Sequence, residues 1–240
     1  MRFYKFFISI FLIFTMCFYI TTPVFSEETT YVWSPNNSSL NDSTNDNSSQ
    51  VKETNSEVDE SNSLSLESGS AILIEQTTGQ VLYSHNAHEQ LRPASVTKVM
   101  SILLIMEALD SNKISLTDSV PCSENAASMG GSQIWLDPRE TLTVDEMLKA
   151  ICVNSANDCV VAMSEFIAGS EEAFVQLMND KAKELGMNDT CFKNCHGLDE
   201  DGHVTSAYDI SLMSRELLNN HPSVTNYTTI WTDTLRNRKI

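Results

Sequence analysis

The sequence predicts an α+β domain, and three observations support that class. Residues 70–87, SAILIEQTTGQVLYSHNA, contain two β-rich runs around a turn that carries Gly79, which is typical of a β-hairpin. Helical patterns then fill most of the chain, beginning with a strongly apolar one. A β-like alternation returns in residues 228–236, TTIWTDTLR. We therefore expect a block of helices packed on an antiparallel sheet.

The first helix is predicted to lie at the centre of the domain. Its apolar residues recur at the spacing i, i+3, i+4, i+7 and i+8, as Val96, Val99, Met100, Leu103 and Leu104. Further apolar residues make the helix apolar nearly all round, namely Ile102, Ile105 and Met106. Lys98 lies in the first turn of this helix, and a lysine is rarely buried without a reason.

Three more helices follow from start and stop signals. Thr143 with Glu146 forms a capping-box pattern before VDEMLKAICV, and Ser206 with Asp209 forms another before YDISLMSRELL. Residues 171–186, EEAFVQLMNDKAKELG, begin with acidic residues and end at a glycine, which predicts an ordinary amphipathic helix.

Residues 1–26 have the form of a signal peptide. Arg2 and Lys5 precede an apolar run over residues 6–20, and small or medium residues stand before Glu27. The alternative is an uncleaved membrane anchor, but the run is shorter than the ~20 residues that a span needs. We therefore expect an exported protein that acts outside the cytoplasm, at the cell wall or the outer face of the cytoplasmic membrane.

Residues 27–67 are predicted to be a disordered acidic linker. They consist almost entirely of Asn, Ser, Thr, Asp and Glu, so they cannot bury enough apolar surface to offset the entropy of ordering. Nine acidic residues against Lys52 give this linker eight of the net 17 negative charges. An acidic chain without a basic patch argues against nucleic-acid binding. The remaining residues, 68–240, are long enough for one domain with a core.

The cysteines do not specify a disulfide framework. Five remain after the signal peptide, at irregular spacings: Cys122, Cys152, Cys159, Cys191 and Cys195. Buried thiols and one local disulfide both stay open as interpretations. The segment CFKNCH, residues 191–196, offers only three clustered ligands at a spacing unusual for zinc, so we expect no metal and no cofactor.

Two polar motifs are candidates for chemistry. Ser95 and Lys98 lie on one face of a helix, which suits a hydroxyl whose proton is removed by a neutral amine. The alternative is a helix cap beside a surface lysine, because the same spacing also occurs at Ser49 and Lys52 in the linker. The second motif, Ser155-Ala156-Asn157, lies in a polar break between two helical runs and can project a hydroxyl and an amide into a cleft.

Residues 69–240 resemble a known family through four segments: RPASVTKVM, NSANDCVVAM, FVQLMNDKAKELGMNDTCF and CHGLDEDGHVTSAYDISLMSREL. Together they are similar to the serine-type D-alanyl-D-alanine carboxypeptidases, which are low-molecular-mass penicillin-binding proteins. The resemblance implies a β-lactamase/transpeptidase-like fold. It also implies removal of the terminal D-Ala from peptidoglycan stem peptides through an acyl-serine, and binding of β-lactam antibiotics.

The resemblance assigns roles to four residues. Ser95 would be the nucleophile and Lys98 its base, while the backbone N–H of Ser95 would stabilise a developing oxyanion at the helix start. Ser155 would relay or steady the proton. Asn157 would hold the backbone amide of the substrate and keep Lys98 in place.

The sequence also departs from the family pattern. A Lys-Thr-Gly motif, which the family carries on a late strand, does not occur in residues 1–240. We therefore expect a partial sequence without its late strands, of doubtful activity as given. The C-terminal amphipathic anchor of the family, which would allow membrane association, is likewise not found.

Two other functions share parts of this pattern. A class A β-lactamase shares the serine, the lysine and the fold, but it needs a glutamate-bearing loop for deacylation. Here the stretch after Cys195 reads HGLDEDGHVTSAYD, the carboxypeptidase-like form. A catalytically inactive peptidoglycan-binding protein is the second alternative. Intact Ser95, Lys98, Ser155 and Asn157 count against it for the full-length product, but it stays open for the chain as given.

Overall fold

The computed structural model describes residues 66–236 and 238–239. The predicted signal peptide and nearly all of the predicted linker lie outside these residues. In the described part, helices dominate and the strands form three two-stranded antiparallel sheets. The predicted mixture of helix and antiparallel sheet is confirmed.

The strands are short. The hairpin consists of β1 (Ala71–Ile74) and β2 (Val81–His85), which pair in antiparallel register with an irregularity between Leu73 and Ile74. Gly79 takes a positive φ of 76° in its turn, a conformation that glycine adopts without strain. Within residues 66–236 and 238–239 the strands are β1 (Ala71–Ile74), β2 (Val81–His85), β3 (Ser119–Pro121), β4 (Thr141–Thr143), β5 (Thr234–Leu235) and β6 (Arg238–Lys239).

The helices follow the predicted order. A 3₁₀ turn over Ala94–Thr97 runs directly into helix α1 (Lys98–Asp110), and a second one over Pro222–Val224 leads into helix α7 (Thr225–Thr228). The helices are α1 (Lys98–Asp110), α2 (Glu124–Ala127), α3 (Val144–Asn154), α4 (Asn157–Ala168), α5 (Glu171–Glu184), α6 (Ala207–Asn220) and α7 (Thr225–Thr228).

Helix α1 lies in the middle of the helical block, as its all-round apolar pattern predicts. It packs against α4, α5 and α6. Nine of its 13 residues are buried, including Met100, Leu103 and Ile105 at 0% exposure. A helix buried on all sides is held rigidly, so its first turn can position a side chain accurately.

The two predicted capping boxes differ. At the start of α3, Thr143 and Glu146 make both reciprocal bonds of the motif. At the start of α6, the Ser206 hydroxyl accepts the Asp209 N–H at 3.2 Å, but the reverse bond is missing. The Asp209 carboxylate instead accepts the Asp189 N–H at 2.8 Å, so the second box is corrected to a simple N-cap.

The predicted strand over residues 228–236 is largely wrong. Helix α7 extends to Thr228, and only Thr234–Leu235 is a strand. The helical start at Pro222 places proline in the first turn, where its fixed φ favours a helix. Trp231 is 95% exposed, so the apolar alternation does not mark a buried face.

All five cysteines named above are free thiols in the described residues, which decides between buried thiols and a disulfide. The described residues also contain no cluster of three or more side chains suited to hold a metal ion. None of the helices in that part of the chain has the length and apolar character needed to cross a membrane.

Candidate active site

Ser95 lies at the exposed start of the helix that α1 continues. The residue before it, Ala94, has a φ of +46°, a left-handed conformation that residues with a Cβ rarely adopt. The backbone of Gly197 packs closely on this turn, because a Cβ at Gly197 would lie 1.9 Å from the Ala94 carbonyl oxygen. Only glycine fits at position 197.

Lys98 is buried beside this serine. Its side chain is 3% exposed, and its Nζ lies 3.3 Å from Ser95 Oγ and donates to the His196 carbonyl at 2.7 Å. Lys98 makes no ion pair with a carboxylate in the described part of the chain. Burial without a counter-charge lowers the pKa of Lys98 to about 8. About a tenth of the amine is therefore neutral at pH 7, and about half of it at pH 8.

The loop over residues 191–203 is bonded to the first turns of this helix. His203 accepts the Lys193 N–H on Nδ1, so its Nε2 carries the proton that is shared with Thr97 Oγ1 at 2.7 Å. One turn later, the Ser101 hydroxyl donates to the Cys195 carbonyl at 2.6 Å. These bonds fix the position of the loop along the helix, next to Lys98.

Asn194 shapes the part of this loop that contacts Lys98. Its Oδ1 accepts the Gly197 N–H at 2.7 Å, and its Nδ2 donates to the Leu198 carbonyl at 2.9 Å. Asn194 is 6% exposed, so both bonds are shielded from water. The side chain thereby holds the turn that directs the His196 carbonyl at Lys98.

The His196 ring is buried under the same turn. Its Nδ1 accepts the Leu198 N–H at 3.1 Å, and its Nε2 lies 3.5 Å from Glu171 Oε1. Burial lowers the pKa of His196, the nearby Glu171 carboxylate opposes this change, and the charge of Lys98 adds to it. The ring is therefore neutral near neutral pH, and it adds no positive charge beside Lys98.

The second motif forms the turn between α3 and α4, as predicted. Ser155 ends α3 in the left-handed region with a φ of 54°, and its half-buried hydroxyl makes no hydrogen bond to another described residue. Asn157 begins α4, where its backbone N–H donates to the Ser132 carbonyl and its Nδ2 donates to the Gly130 carbonyl, both at 2.7 Å. Its buried Oδ1 has no hydrogen-bond partner.

A short glycine segment connects the two motifs. A Cβ at Gly131 would lie 2.8 Å from Asn157 Nδ2 and 3.5 Å from Leu198 Cδ2. Leu198 follows Gly197, whose backbone touches the Ser95 turn. The two loops therefore bring the second motif next to the first. Lys98 is held by the His196 carbonyl, however, and it makes no hydrogen bond to Asn157.

Sequence reasoning missed several residues of this site. Asn194 and His196 lie in CFKNCH, which is considered above as a metal ligand set, and neither residue is given a role in the site; Glu171 is predicted only to be an acidic residue at a helix start. The close backbone approach at Gly197 and at Gly131 was not predicted either. A glycine within CHGL or MGGS signals a special backbone position, but the partner of that backbone is set by the tertiary fold.

A family model described as D-alanyl-D-alanine carboxypeptidase, peptidase S11, matches residues 53–240. The chain belongs to this family. Among curated S11 relatives, the D-alanyl-D-alanine carboxypeptidase DacF of Bacillus subtilis is 58% identical over 173 residues, which is 72% of this chain and 44% of the relative. DacC of Escherichia coli is 37% identical over 164 residues, 66% of this chain and 41% of the relative.

Solved structures show the same S11 fold. Penicillin binding protein 6B of Escherichia coli superposes with a TM-score of 0.69 at 33% identity, covering 72% of this chain and 56% of that protein. Penicillin-binding protein D2 of Listeria monocytogenes, solved in an ampicillin-bound form, superposes with a TM-score of 0.65 at 29% identity, covering 74% of this chain and 72% of that protein. The predicted β-lactamase/transpeptidase-like fold is confirmed. The chain spans less than half the length of the curated relatives named above.

Proposed function

We propose that the full gene product is a serine D-alanyl-D-alanine carboxypeptidase that removes the terminal D-Ala from peptidoglycan stem peptides. The observation that carries this proposal is the buried amine of Lys98, whose pKa is lowered to about 8, 3.3 Å from the Ser95 hydroxyl. Membership in the S11 family, whose relatives carry this activity in their names, supports the reaction class.

Acylation follows from this geometry. A neutral Lys98 has two N–H groups and one lone pair, so it can donate to the His196 carbonyl while its lone pair accepts the Ser95 proton. Ser95 Oγ then bonds to the carbonyl carbon of the penultimate D-Ala. The C–N bond to the terminal D-Ala breaks, and the proton held by Lys98 goes to the leaving amine. Water afterwards hydrolyses the acyl-serine ester, which releases the shortened peptide.

The second motif binds the substrate in this proposal. The buried Oδ1 of Asn157 is an acceptor without a partner, and a backbone N–H of the bound peptide would supply the missing donor. Ser155 has a free hydroxyl that can pass the proton between Lys98 and the leaving amine. Both side chains lie on rigid helix ends, which keeps them oriented before substrate arrives.

Binding of β-lactams is the second part of the proposal. Ampicillin-bound and cefotaxime-bound forms of Listeria monocytogenes penicillin-binding protein D2 have the fold seen here. A β-lactam carbonyl would acylate Ser95 by the same route and leave a stable adduct.

The place of action is also proposed. The basic and apolar pattern of residues 1–26 supports export, which puts the enzyme on the side of the membrane where peptidoglycan lies. N-terminal sequencing of the cell-wall or secreted fraction should give a start near Glu27. Recovery of the protein with Met1 intact would contradict cleavage.

The experiment uses the full gene product, a fluorescent penicillin and a D-Ala-D-Ala pentapeptide. We expect mass spectrometry of the digested adduct to place the label on Ser95, and D-Ala release to be lost in Ser95→Ala. Ser111→Ala, an exposed serine after the other end of α1, is the matched control and should retain both activities. Label on another peptide, or D-Ala release by Ser95→Ala, would contradict the proposal.

A further inference from the structure

Trp135 has an unusual conformation on the loop that bonds to Asn157 of the candidate active site. Its side chain is 70% exposed, while its neighbours Ile134 and Leu136 are each 5% exposed. Its φ is +57°, in the left-handed region that a bulky residue occupies only under strain. The chain thus turns a large aromatic side chain out to solvent between two buried residues.

A buried carboxylate maintains this turn. Asp158, which is 0% exposed, accepts the Ile134 N–H at 3.1 Å and the Leu136 N–H at 3.0 Å, one on each side of Trp135. On the carbonyl side, Arg236 donates to Ile134 O and contacts Trp135 O at 3.4 Å. Burial of a carboxylate is costly, so its use here shows that the turn is tightly specified.

The turn is joined directly to the substrate-binding motif. Asp158 follows Asn157 in the first turn of α4, and both side chains bond to the same loop. The Asn157 N–H donates to the Ser132 carbonyl, and Trp135 is three residues further along. At roughly 3.6 Å per extended residue, Trp135 lies within about 11 Å of Ser132. Trp135 therefore lies on the loop that bonds to Asn157, and it is joined to the site through Ser132 and Asp158.

The surroundings of Trp135 fit a sugar. Two ion pairs belong to this turn. Asp137 and Arg139, which follow Trp135 in the chain, pair at 2.6 Å, and Glu140 pairs at 2.7 Å with Arg236, whose guanidinium also contacts the Trp135 carbonyl oxygen. A flat indole bordered by charged hydrogen-bonding groups matches a pyranose ring, which has one face of C–H groups and a rim of hydroxyls. The sugar end of a peptidoglycan unit lies several residues from the D-Ala-D-Ala bond, so it belongs at the border of the site.

We propose that Trp135 is a stacking platform for an N-acetylated amino sugar of the glycan strand that carries the stem peptide. This inference rests on the proposed carboxypeptidase function for its substrate. The platform selects glycan-linked peptides over free ones, because the stacked sugar adds binding that a free pentapeptide does not make.

The test compares two substrates on the full gene product: a free pentapeptide and the same pentapeptide on an N-acetylated disaccharide. We expect the ratio of kcat/KM for the glycan-linked over the free substrate to fall about tenfold in Trp135→Ala, the size typical of removing a central interface aromatic. Trp135→Tyr should restore most of the ratio. Trp231→Ala removes another exposed tryptophan, one that is 95% exposed, and should leave the ratio at its wild-type value.

A second measurement separates this inference from the proposed function. A peptide-free N-acetylglucosamine oligosaccharide should change the tryptophan fluorescence of wild type and Trp231→Ala, and not of Trp135→Ala. An unchanged substrate ratio together with no oligosaccharide binding would overturn the platform while D-Ala release stands. Oligosaccharide binding through Trp135 in a protein that releases no D-Ala would uphold the platform and overturn the carboxypeptidase. A melting temperature that falls in Trp135→Ala, with equal losses on both substrates, would show a packing role and overturn the platform.

Discussion

Two lysines with shielded side chains lie near opposite ends of helix α1, and they have opposite surroundings. Lys181 of α5 is 14% exposed and pairs with Glu107 at 2.9 Å and with Glu184 at 2.8 Å. Burial lowers its pKa, but the bonds to Glu184 and Glu107 outweigh burial, so the pKa is raised. Lys98 at the other end of α1 has only a hydroxyl and a carbonyl as partners, and burial lowers its pKa to about 8.

The comparison shows that a counter-charge changes the direction in which the pKa of a shielded lysine moves. Lys181 stays protonated and links two helices. Lys98 is shielded from solvent yet has no carboxylate to hold its proton, so it is destabilising when charged and reactive when neutral. Residues with such an environment are typical of functional sites, where stability is lowered to permit chemistry.

The largest expected difference between the two lysines is in activity. Lys98→Met removes the base and should lower the rate of Ser95 acylation by about a thousandfold or more, within the range of ~10²–10⁴ for general-base catalysis. Lys181→Met should change this rate less than twofold. The check is the second-order rate of labelling by a fluorescent penicillin in the full gene product. Equal rates in the two variants would show that Lys98 does not act as the base for Ser95.

Two glycine substitutions test whether the close backbone contact at Gly197 positions Ser95. Gly197→Ala would place a Cβ 1.9 Å from Ala94 O, so the Ser95 turn must shift, and a displacement of about 1 Å can cost about a hundredfold in rate. Gly186→Ala, also at positive φ but with open space around it, shares only the backbone strain. Comparable acylation rates in the two variants would show that the contact at Gly197 does not position Ser95.

Stability should change in opposite directions when each lysine is replaced. The pKa of Lys98 falls from 10.5 to about 8, which corresponds to roughly 3 kcal/mol of destabilisation at pH 7. Replacing Lys98 removes this penalty, but it also removes the hydrogen bond to the His196 carbonyl, which costs about 1 kcal/mol. Lys98→Met should therefore raise the free energy of unfolding by roughly 2 kcal/mol. Lys181→Met should lower it by about 1 kcal/mol, because Glu107 loses its partner.

The pH dependence of this stability has a definite sign. The folded pKa of Lys98 lies below its unfolded value, so the unfolded state binds more protons between about pH 8 and 10.5. The penalty is full below pH 8 and is relieved as the pH rises through this window. The advantage of Lys98→Met over wild type in denaturant unfolding should therefore shrink above pH 8. An advantage that is constant with pH would contradict the lowered pKa.

Much of this arrangement could be predicted from the sequence. The apolar pattern around α1 placed Lys98 on a central helix, and the break before Asn157 placed the second motif at a helix junction. Local signals of this kind depend on residues close in sequence, so a single sequence contains them. The hairpin and the Thr143–Glu146 capping box were predicted for the same reason.

The features that could not be predicted from the sequence depend on contacts between residues far apart in the chain. The carbonyl that holds Lys98 comes from His196, 98 residues away, and nothing in either segment indicates the partner. Asp209 matched a capping box by spacing, yet its carboxylate bonds to Asp189 and Thr190 from another loop. The alternation around Trp231 resembled a strand because periodicity cannot tell an exposed turn from a half-buried edge.

The most direct test of the central claim is the pH dependence of Ser95 acylation by a fluorescent penicillin. If neutral Lys98 is the base, the rate should rise about tenfold per pH unit below a midpoint near 8 and level off above it. Lys181→Met should keep that midpoint. A rate that is flat from pH 6 to 10, or a midpoint near the ordinary lysine pKa of 10.5, would show that Lys98 is not the base that activates Ser95.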